Sequence, residues 1–336
     1  MDHYIPLVSI IGLALLFDFL NGMNDAANSV ATVVATRVLP PRVAVAWAAF
    51  FNFAAVFLFG TAVAKTIGKG VVRPDVVDNA FVASALIGAI TWTWLCTHYG
   101  LPISVSHSLI GGMTGVAITK GGLAAVIWWP GVGRIALFII LAPFIGMILG
   151  SILMLLCLIA FKKSNPYRVD RIFRSLQLLS AAFYSLGHGA NDAQKIAGLI
   201  TALLIANSLL PKETEIPWWV LFLCYGTIAL GTLLGGWRVI RTLGIKVTKL
   251  QPIGGFCAET AGGLTLVLTA TSGIPVSTTH TITGAIMGVG SIKRISAVRW
   301  GVAWHIVLAW ITTIPACALL AAFAFVIWKH LLTKIF

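Results

Sequence analysis

Residues 20–29 read LNGMNDAANS, and residues 186–195 read LGHGANDAQK. Each stretch follows an apolar run and is polar where a membrane span should not be. A shift of 167 residues, about half of the 336-residue chain, lays Asn24-Asp25-Ala26 onto Asn191-Asp192-Ala193. A carboxylate within a membrane is costly unless something there needs it. Two carboxylates at matching places in two halves point to a site built by duplication.

The surrounding composition is that of a membrane protein. The chain is 59% hydrophobic and 10% charged, with a mean hydropathy of +0.97. Soluble domains carry about 25% charged residues. The apolar runs are long and continuous rather than alternating, which excludes a β-barrel and leaves helices to carry the spans. The sequence therefore predicts an all-α polytopic, multi-pass protein with about 10–12 helical membrane segments. The net charge of +13 gathers in connections: Lys162, Lys163, Arg168, Arg171 and Arg174, then Arg238, Arg241, Lys246 and Lys249, then Lys293, Arg294 and Arg299. Such clusters beside spans mark the cytoplasmic face and are too short to suggest a nucleic-acid partner. Only Asp2 and His3 precede the first apolar run, without a basic leader, so that run reads as a retained span. The five cysteines are scattered, none in a CxxC pair, and read as packing residues.

The order of segments repeats. Residues 4–20 read as a first span, with NGMNDAAN leading into a second helix that ends near Thr36, before Pro40-Pro41. A span at 43–65 follows, then short segments at 80–96 and 104–119 around HYGLPIS, then a long span at 134–161. The second half offers a helix at 172–186, GHGANDAQK, a helix to 210, a span at 218–240, short segments at 254–270 and 277–290 around SGIPVS, and a long span at 300–330. GLPISVSH (100–107) returns as GIPVSTTH (273–280), KTIG (65–68) as RTLG (241–244), and Pro143 as Pro315. This gives two repeats. The first is 1–163, with its signature at 20–31, hairpin at 80–119 and long span at 134–161. The second is 172–336, with its signature at 186–198, hairpin at 254–290 and long span at 300–330. A basic linker at 164–171 joins them. Many transporters are built from such repeats, with substrate near the midplane between them. Span parity, and whether the short helices cross or re-enter, stay open at this point.

Pro102 and Pro275 each precede a hydroxyl-rich helix start: Ser104 and Ser106, then Ser277, Thr278 and Thr279. A helix N-terminus with free N–H groups attracts anions, and two in matching positions could enclose one small oxyanion. The intramembrane acids are Asp18, Asp25, Asp192 and Glu259. Beside an anion they need cations, so the economical arrangement holds the oxyanion on hydroxyls and helix ends. Asn24, Asp25, Asn191 and Asp192 would then hold Na⁺ or protons through hard oxygens. Moving one negative charge inward against 100 mV costs roughly 2.3 kcal/mol, which makes cation coupling necessary. Lys195, one turn after Asp192, either neutralises it or approaches the anion. Glu259 reads as a third cation ligand, a proton carrier or a structural hydrogen-bond partner. Asp18 aligns with Ser185 and has no acidic echo. Asn52 reads as an interhelical amide bond, and His107 and His280 as residues orienting their loops rather than as Zn²⁺ ligands.

NGMNDAANSVAT and GHGANDAQKIAG resemble the duplicated signature of the inorganic phosphate transporter (PiT) family. GLPISVSH and GIPVSTTH resemble its paired hairpin motifs. The resemblance spans the chain and implies inverted repeats importing inorganic phosphate with Na⁺ or H⁺, by alternating access. It implies phosphate near Ser104, Ser106, Ser277, Thr278 and Thr279, with Lys195 added from its position. It places cations near Asn24, Asp25, Asn191 and Asp192, with Glu259 in the coupling set. Val105 stands where many members have a hydroxyl, and the linker is short, as in a compact prokaryotic form in the plasma membrane. The alternatives are a sulfate-type oxyanion permease, proton-coupled metal–phosphate symport and, third, an anion channel. HExxH and GxSxG are absent, which argues against an enzyme, and no cofactor is expected beyond the co-transported cation. A homodimer is compatible with the pattern but not required by it.

Overall fold

The computed structural model describes residues 4–211 and 213–335; Asp2 and His3 lie outside them. The first half contains α1 (Tyr4–Ala35), α2 (Pro41–Ala54), α3 (Ala62–Gly70), α4 (Asn79–Tyr99), α5 (Val105–Gly121) and α6 (Gly133–Ala160). The second contains α7 (Pro166–Ala206), α8 (Trp218–Leu234), α9 (Trp237–Arg241), α10 (Pro252–Thr271), α11 (Thr278–Lys293) and α12 (Trp300–Ile335). Among the described residues there is no strand, only an isolated bridge between Val72 and Val126. Among the described residues, five helices are long and apolar enough to cross a membrane, or six with one bent pair counted as a span.

Four expectations change. Both signatures lie inside unbroken helices, α1 and α7, instead of between two helices. No proline falls between Pro6 and Pro40 or between Pro166 and Pro211, so no backbone donor is lost there. The polar side chains find partners across the bundle instead. The expected spans at 43–65 and 218–240 are broken: α2 frays into a short 3₁₀ turn (Ala55–Phe57) before α3, and α8 meets Trp237–Lys246 at 64°. Gly235, at φ 65°, makes that second break possible. Most of the expected linker at 164–171 is helical, forming the first turns of α7. The first arms of the two hairpins, α4 with 21 residues and α10 with 20, are of full spanning length.

Packing is reciprocal between the halves. α5 lies on α12 as α11 lies on α6, α1 on α8 as α7 on α2, and α1 on α4 as α7 on α10. A pair of glycines four residues apart closes each hairpin's second arm onto the long helix of the other half. A Cβ on Gly284 would stand 2.0 Å from the Pro143 carbonyl oxygen, and one on Gly288 would stand 2.2 Å from that of Met147. On α5, a Cβ on the matching Gly111 or Gly115 would stand 2.6 or 2.2 Å from the carbonyl oxygen of Ile314 or Ala318. Only the missing side chains let these backbones meet.

α1 and α7 cross antiparallel. Arg174, near the start of α7, donates to the Arg37 carbonyl just past the end of α1 at 3.0 Å. Thr36 Oγ1 lies 2.9 Å from Gln177 Oε1, and deeper in the bundle His188 on α7 reaches Asp25 on α1. The two signatures thus meet in mid-bundle. From the seam, Gly284→Ala should lower stability by about 1–3 kcal/mol. Thermal unfolding of the purified protein in detergent reads this directly, and an unchanged midpoint would contradict the close approach.

Candidate functional site

Both hairpins turn the same way. Gly100 (φ 71°) and Gly273 (φ 67°) take the left-handed conformation just before Pro102 and Pro275. The chain then starts α5 and α11 with serine caps. Ser104 Oγ accepts from the His107 amide at 3.3 Å, and Ser277 Oγ accepts from the His280 amide at 3.2 Å. As caps these hydroxyls use a lone pair and keep the O–H free to donate.

Against the start of α11 stand the two signature acids. Thr278 Oγ1 lies 3.1 Å from Asp25 Oδ2 and 3.3 Å from Asp192 Oδ2. A hydroxyl has one proton, so it serves one carboxylate at a time. Thr279 Oγ1 donates to Asp25 Oδ1 at 3.3 Å. Asn28 Nδ2 donates to Thr278 Oγ1 at 3.2 Å and to Thr279 Oγ1 at 2.9 Å. Tyr184 holds the Thr278 carbonyl at 3.0 Å. Asp25, Asp192, Ser104, Ser277 and Thr278 are all buried.

His188, which the sequence reading did not assign, completes the centre together with Asn52. His188 Nε2 lies 3.2 Å from Asp192 Oδ2 and 3.9 Å from Asp25 Oδ2. Its Nδ1 faces Asn52 Oδ1 at 3.0 Å, and Asn52 Nδ2 donates to Thr232 Oγ1 at 3.0 Å. That second bond fixes the Asn52 amide with oxygen toward the ring, so Nδ1 carries a hydrogen. Asp25, His188 and Asp192 form a compact cluster of three possible metal-ligating groups. The signal for His188 was available: the 167-residue shift lays it on Asn21. Asn52 is the interhelical amide bond expected.

Asn24 and Asn191 each aim an amide inward. Asn24 Nδ2 donates to Thr97 Oγ1 at 2.7 Å, and Asn191 Nδ2 donates to the carbonyls of Gly187 and Leu266, both at 2.9 Å. Their Oδ1 atoms are buried without a hydrogen-bond partner among the described residues. Buried polar oxygens are normally paired, so two orphans in matching positions fit a group supplied from outside. Lys195 Nζ donates to Asp192 Oδ1 and Ser106 Oγ, both at 2.5 Å, and to the Val276 carbonyl at 2.9 Å.

Glu259 is not gathered into this centre. Thr32 Oγ1 donates to its Oε1 at 2.5 Å, Gln177 Nε2 to the same oxygen at 3.1 Å, and Ser180 to its Oε2. Asp18 is buried with both carboxylate oxygens unpartnered among the described residues. His107 and His280 meet edge to face at 4.8 Å between hairpins, and His280 stacks on Trp310 at 3.8 Å. No third metal-ligating group joins the two histidines among the described residues.

Acids buried between hydroxyl-capped helix starts, in a bundle of spanning helices, are the interior of a membrane transporter. The phosphate transporter family matches residues 21–321, and the chain belongs to that family. It is 51% identical over 319 residues, 95% of each chain, to a probable low-affinity inorganic phosphate transporter of Rhizobium meliloti (strain 1021). It is 41% identical over 322 residues to another so described from Bacillus subtilis (strain 168), covering 95% of this chain and 96% of that one. A solved structure, the sodium-dependent phosphate transporter, matches with a TM-score of 0.90 at 28% identity, covering 97% of this chain and 99% of the other.

The bridging hydroxyl gives a test. Thr278→Val should cut phosphate uptake at least about tenfold, the equivalent of one lost hydrogen bond to a charged group. Thr278→Ser should restore most of it. Equal uptake by the two variants would show that the hydroxyl does not serve the carboxylates.

Proposed function

We propose that the protein imports inorganic phosphate by alternating access, coupled to a cation, Na⁺ or H⁺. One observation carries this reading. The orphaned oxygens of Asn24 and Asn191 flank Asp25 and Asp192, against two serine-capped helix starts. Hard oxygens next to carboxylates suit a small hard cation, while capped N-termini with free O–H groups suit an oxyanion. The name of the matched solved structure, a sodium-dependent transporter, favours Na⁺. In this reading Ser104, Ser106, Ser277, Thr278 and Thr279 hold phosphate. Asn24, Asp25, Asn191 and Asp192 hold the cations. Glu259, hydrogen-bonded elsewhere, serves coupling at a distance or structure alone.

The antiparallel crossing of α1 and α7 supports two inverted repeats, 1–163 and 172–336. In either half the hairpin contributes an even number of crossings, whether it spans or re-enters. A first helix, a broken span and a long helix make the total odd, which inverts the second repeat. The bacterial relatives and the multi-pass fold support placement in the plasma membrane, with the basic clusters inside.

Transport follows from charge balance. Phosphate entering alone is repelled by the acid pair and opposed by the membrane potential. Positive charge held at the acid pair before the anion arrives removes both obstacles, and the hairpin hydroxyls then bind the anion. Closing on the filled site is easier than closing on bare carboxylates, which couples the two substrates. Asp25→Asn and Asp192→Asn should each abolish coupled uptake into proteoliposomes while leaving the folded yield unchanged. Wild-type uptake by both would remove the cation assignment. Ser104→Ala and Ser277→Ala should raise the phosphate KM severalfold. A changed cation dependence with unchanged KM would show that these hydroxyls do not hold the anion.

A further inference from the structure

The two signatures differ where charge is decided. The shift that lays Asp25 on Asp192 also lays Asn28 on Lys195 and Asn21 on His188. Around the first acid the neighbours are amides. Around the second, they are an amine and an imidazole, both in contact with it. The shift of 173 between hairpins carries the comparison further, because it lays Ser106 on Thr279 and Val276 on Ile103. The oxygens that surround Lys195 Nζ therefore have one-for-one counterparts around the first signature. Asp192 corresponds to Asp25, Ser106 to Thr279, and the Val276 carbonyl to that of Ile103. Two of these counterparts already meet, Thr279 Oγ1 and Asp25 Oδ1, at 3.3 Å.

A carboxylate, a hydroxyl and a backbone carbonyl are the donor set of an alkali-cation site. In the second half that set is filled by the chain's own ammonium. An ammonium has three N–H donors, and all three of Lys195 are directed to protein oxygens, at 2.5, 2.5 and 2.9 Å. None is left for an anion. Asn28, by contrast, carries no charge and donates to Thr278 and Thr279, so Asp25 has no ammonium beside it, and His188 Nε2 reaches it only at 3.9 Å, against 3.2 Å to Asp192.

We propose that Lys195 is a tethered cation that permanently fills the second of two duplicated cation sites, so that only the Asp25 site exchanges a cation during transport. This rests on the coupled-transport reading above. It changes the stoichiometry. Two bare acids would call for two mobile cations per phosphate, whereas one tethered ammonium leaves one. Each cation removed from the cycle lowers the highest phosphate ratio the gradient can sustain by the gradient ratio itself. Lys195 thus sets how steeply the protein can concentrate phosphate, and it acts through Asp192 instead of by touching the anion.

The test uses the full chain in proteoliposomes with inorganic phosphate, Na⁺ and proton gradients imposed separately, and the membrane potential clamped near zero. The wild type should show a cation dependence with a slope near one. Lys195→Asn rebuilds the first site's chemistry in the second and should raise that slope to near two. At a tenfold cation gradient it should raise maximal phosphate accumulation about tenfold, the factor one more coupled cation supplies. Lys195→Met, which supplies neither charge nor oxygen, should lose uptake. An unchanged slope in Lys195→Asn with a raised phosphate KM would overturn the proposal and make Lys195 an anion ligand. Wild-type coupling in Lys195→Met would also overturn it. Should Lys195→Asn fail to fold, the wild-type count decides, because two exchanged cations per phosphate contradict a filled second site. No phosphate uptake by the wild type under either gradient would instead sink the coupled-transport reading itself, a separate result.

Discussion

Asp25 and Asp192 are brought within reach of a single threonine hydroxyl inside a bundle of apolar helices. Two like charges so close and so buried repel one another and lose their hydration. Everything around them answers that problem. Thr278 bridges them, His188 leans on both, Asn52 and Thr232 fix the ring of His188, and Lys195 neutralises one. The helix starts at Ser104 and Ser277 direct positive dipole ends into the same region. The glycine seams then let the hairpins close around it. An acid pair of this kind is an expensive way to stabilise a fold and a direct way to bind cations beside an anion.

The two halves pack alike, and they differ in the side chains that carry charge. The reciprocal packing of hairpins and long helices makes two equal half-sites. The second signature carries ionisable groups, His188 and Lys195, where the first has the amides Asn21 and Asn28. A second asymmetry sits at Glu259. Its partners Thr32, Gln177 and Ser180 align, by the same shifts, with Leu199, Ile10 and Leu13, and Glu259 itself aligns with Leu86. Ile10, Leu86 and Leu199 belong to the apolar core. The fold is therefore satisfied by hydrocarbon at this position, and the polar node in the other half is an addition to it. Burying four polar groups where leucine and isoleucine suffice costs desolvation, which the hydrogen bonds among Glu259, Thr32, Gln177 and Ser180 offset.

Much of this was legible in the sequence because membranes constrain it so strongly. Polar residues in an apolar run had few possible meanings, and Pro102 with Ser104 and Pro275 with Ser277 announced helix starts that the structure contains. What was not legible depended on partners distant in sequence. NGMNDAAN read as a break because asparagine and glycine often end helices; Thr97, Thr278 and Thr279 supply the partners that keep α1 continuous. His188 looked like one residue of a signature until Asn52 and the acids closed around it. Glu259 was grouped with the signature acids by composition, and only its hydrogen bonds to Thr32, Gln177 and Ser180 separate it. The role of Lys195 could not be decided from its i, i+3 spacing, since Ser106 and Val276 lie far along the chain.

The central claim is that cations on the acid pair make the anion site. Titration calorimetry of the purified protein with inorganic phosphate, with and without Na⁺ at constant ionic strength and across a range of pH, tests it without requiring transport. Phosphate affinity should fall at least about tenfold when the coupling cation is withdrawn, and cation affinity should fall by the same factor without phosphate, because the coupling is reciprocal. Phosphate binding of equal strength with and without Na⁺, and at every proton concentration, would contradict the account.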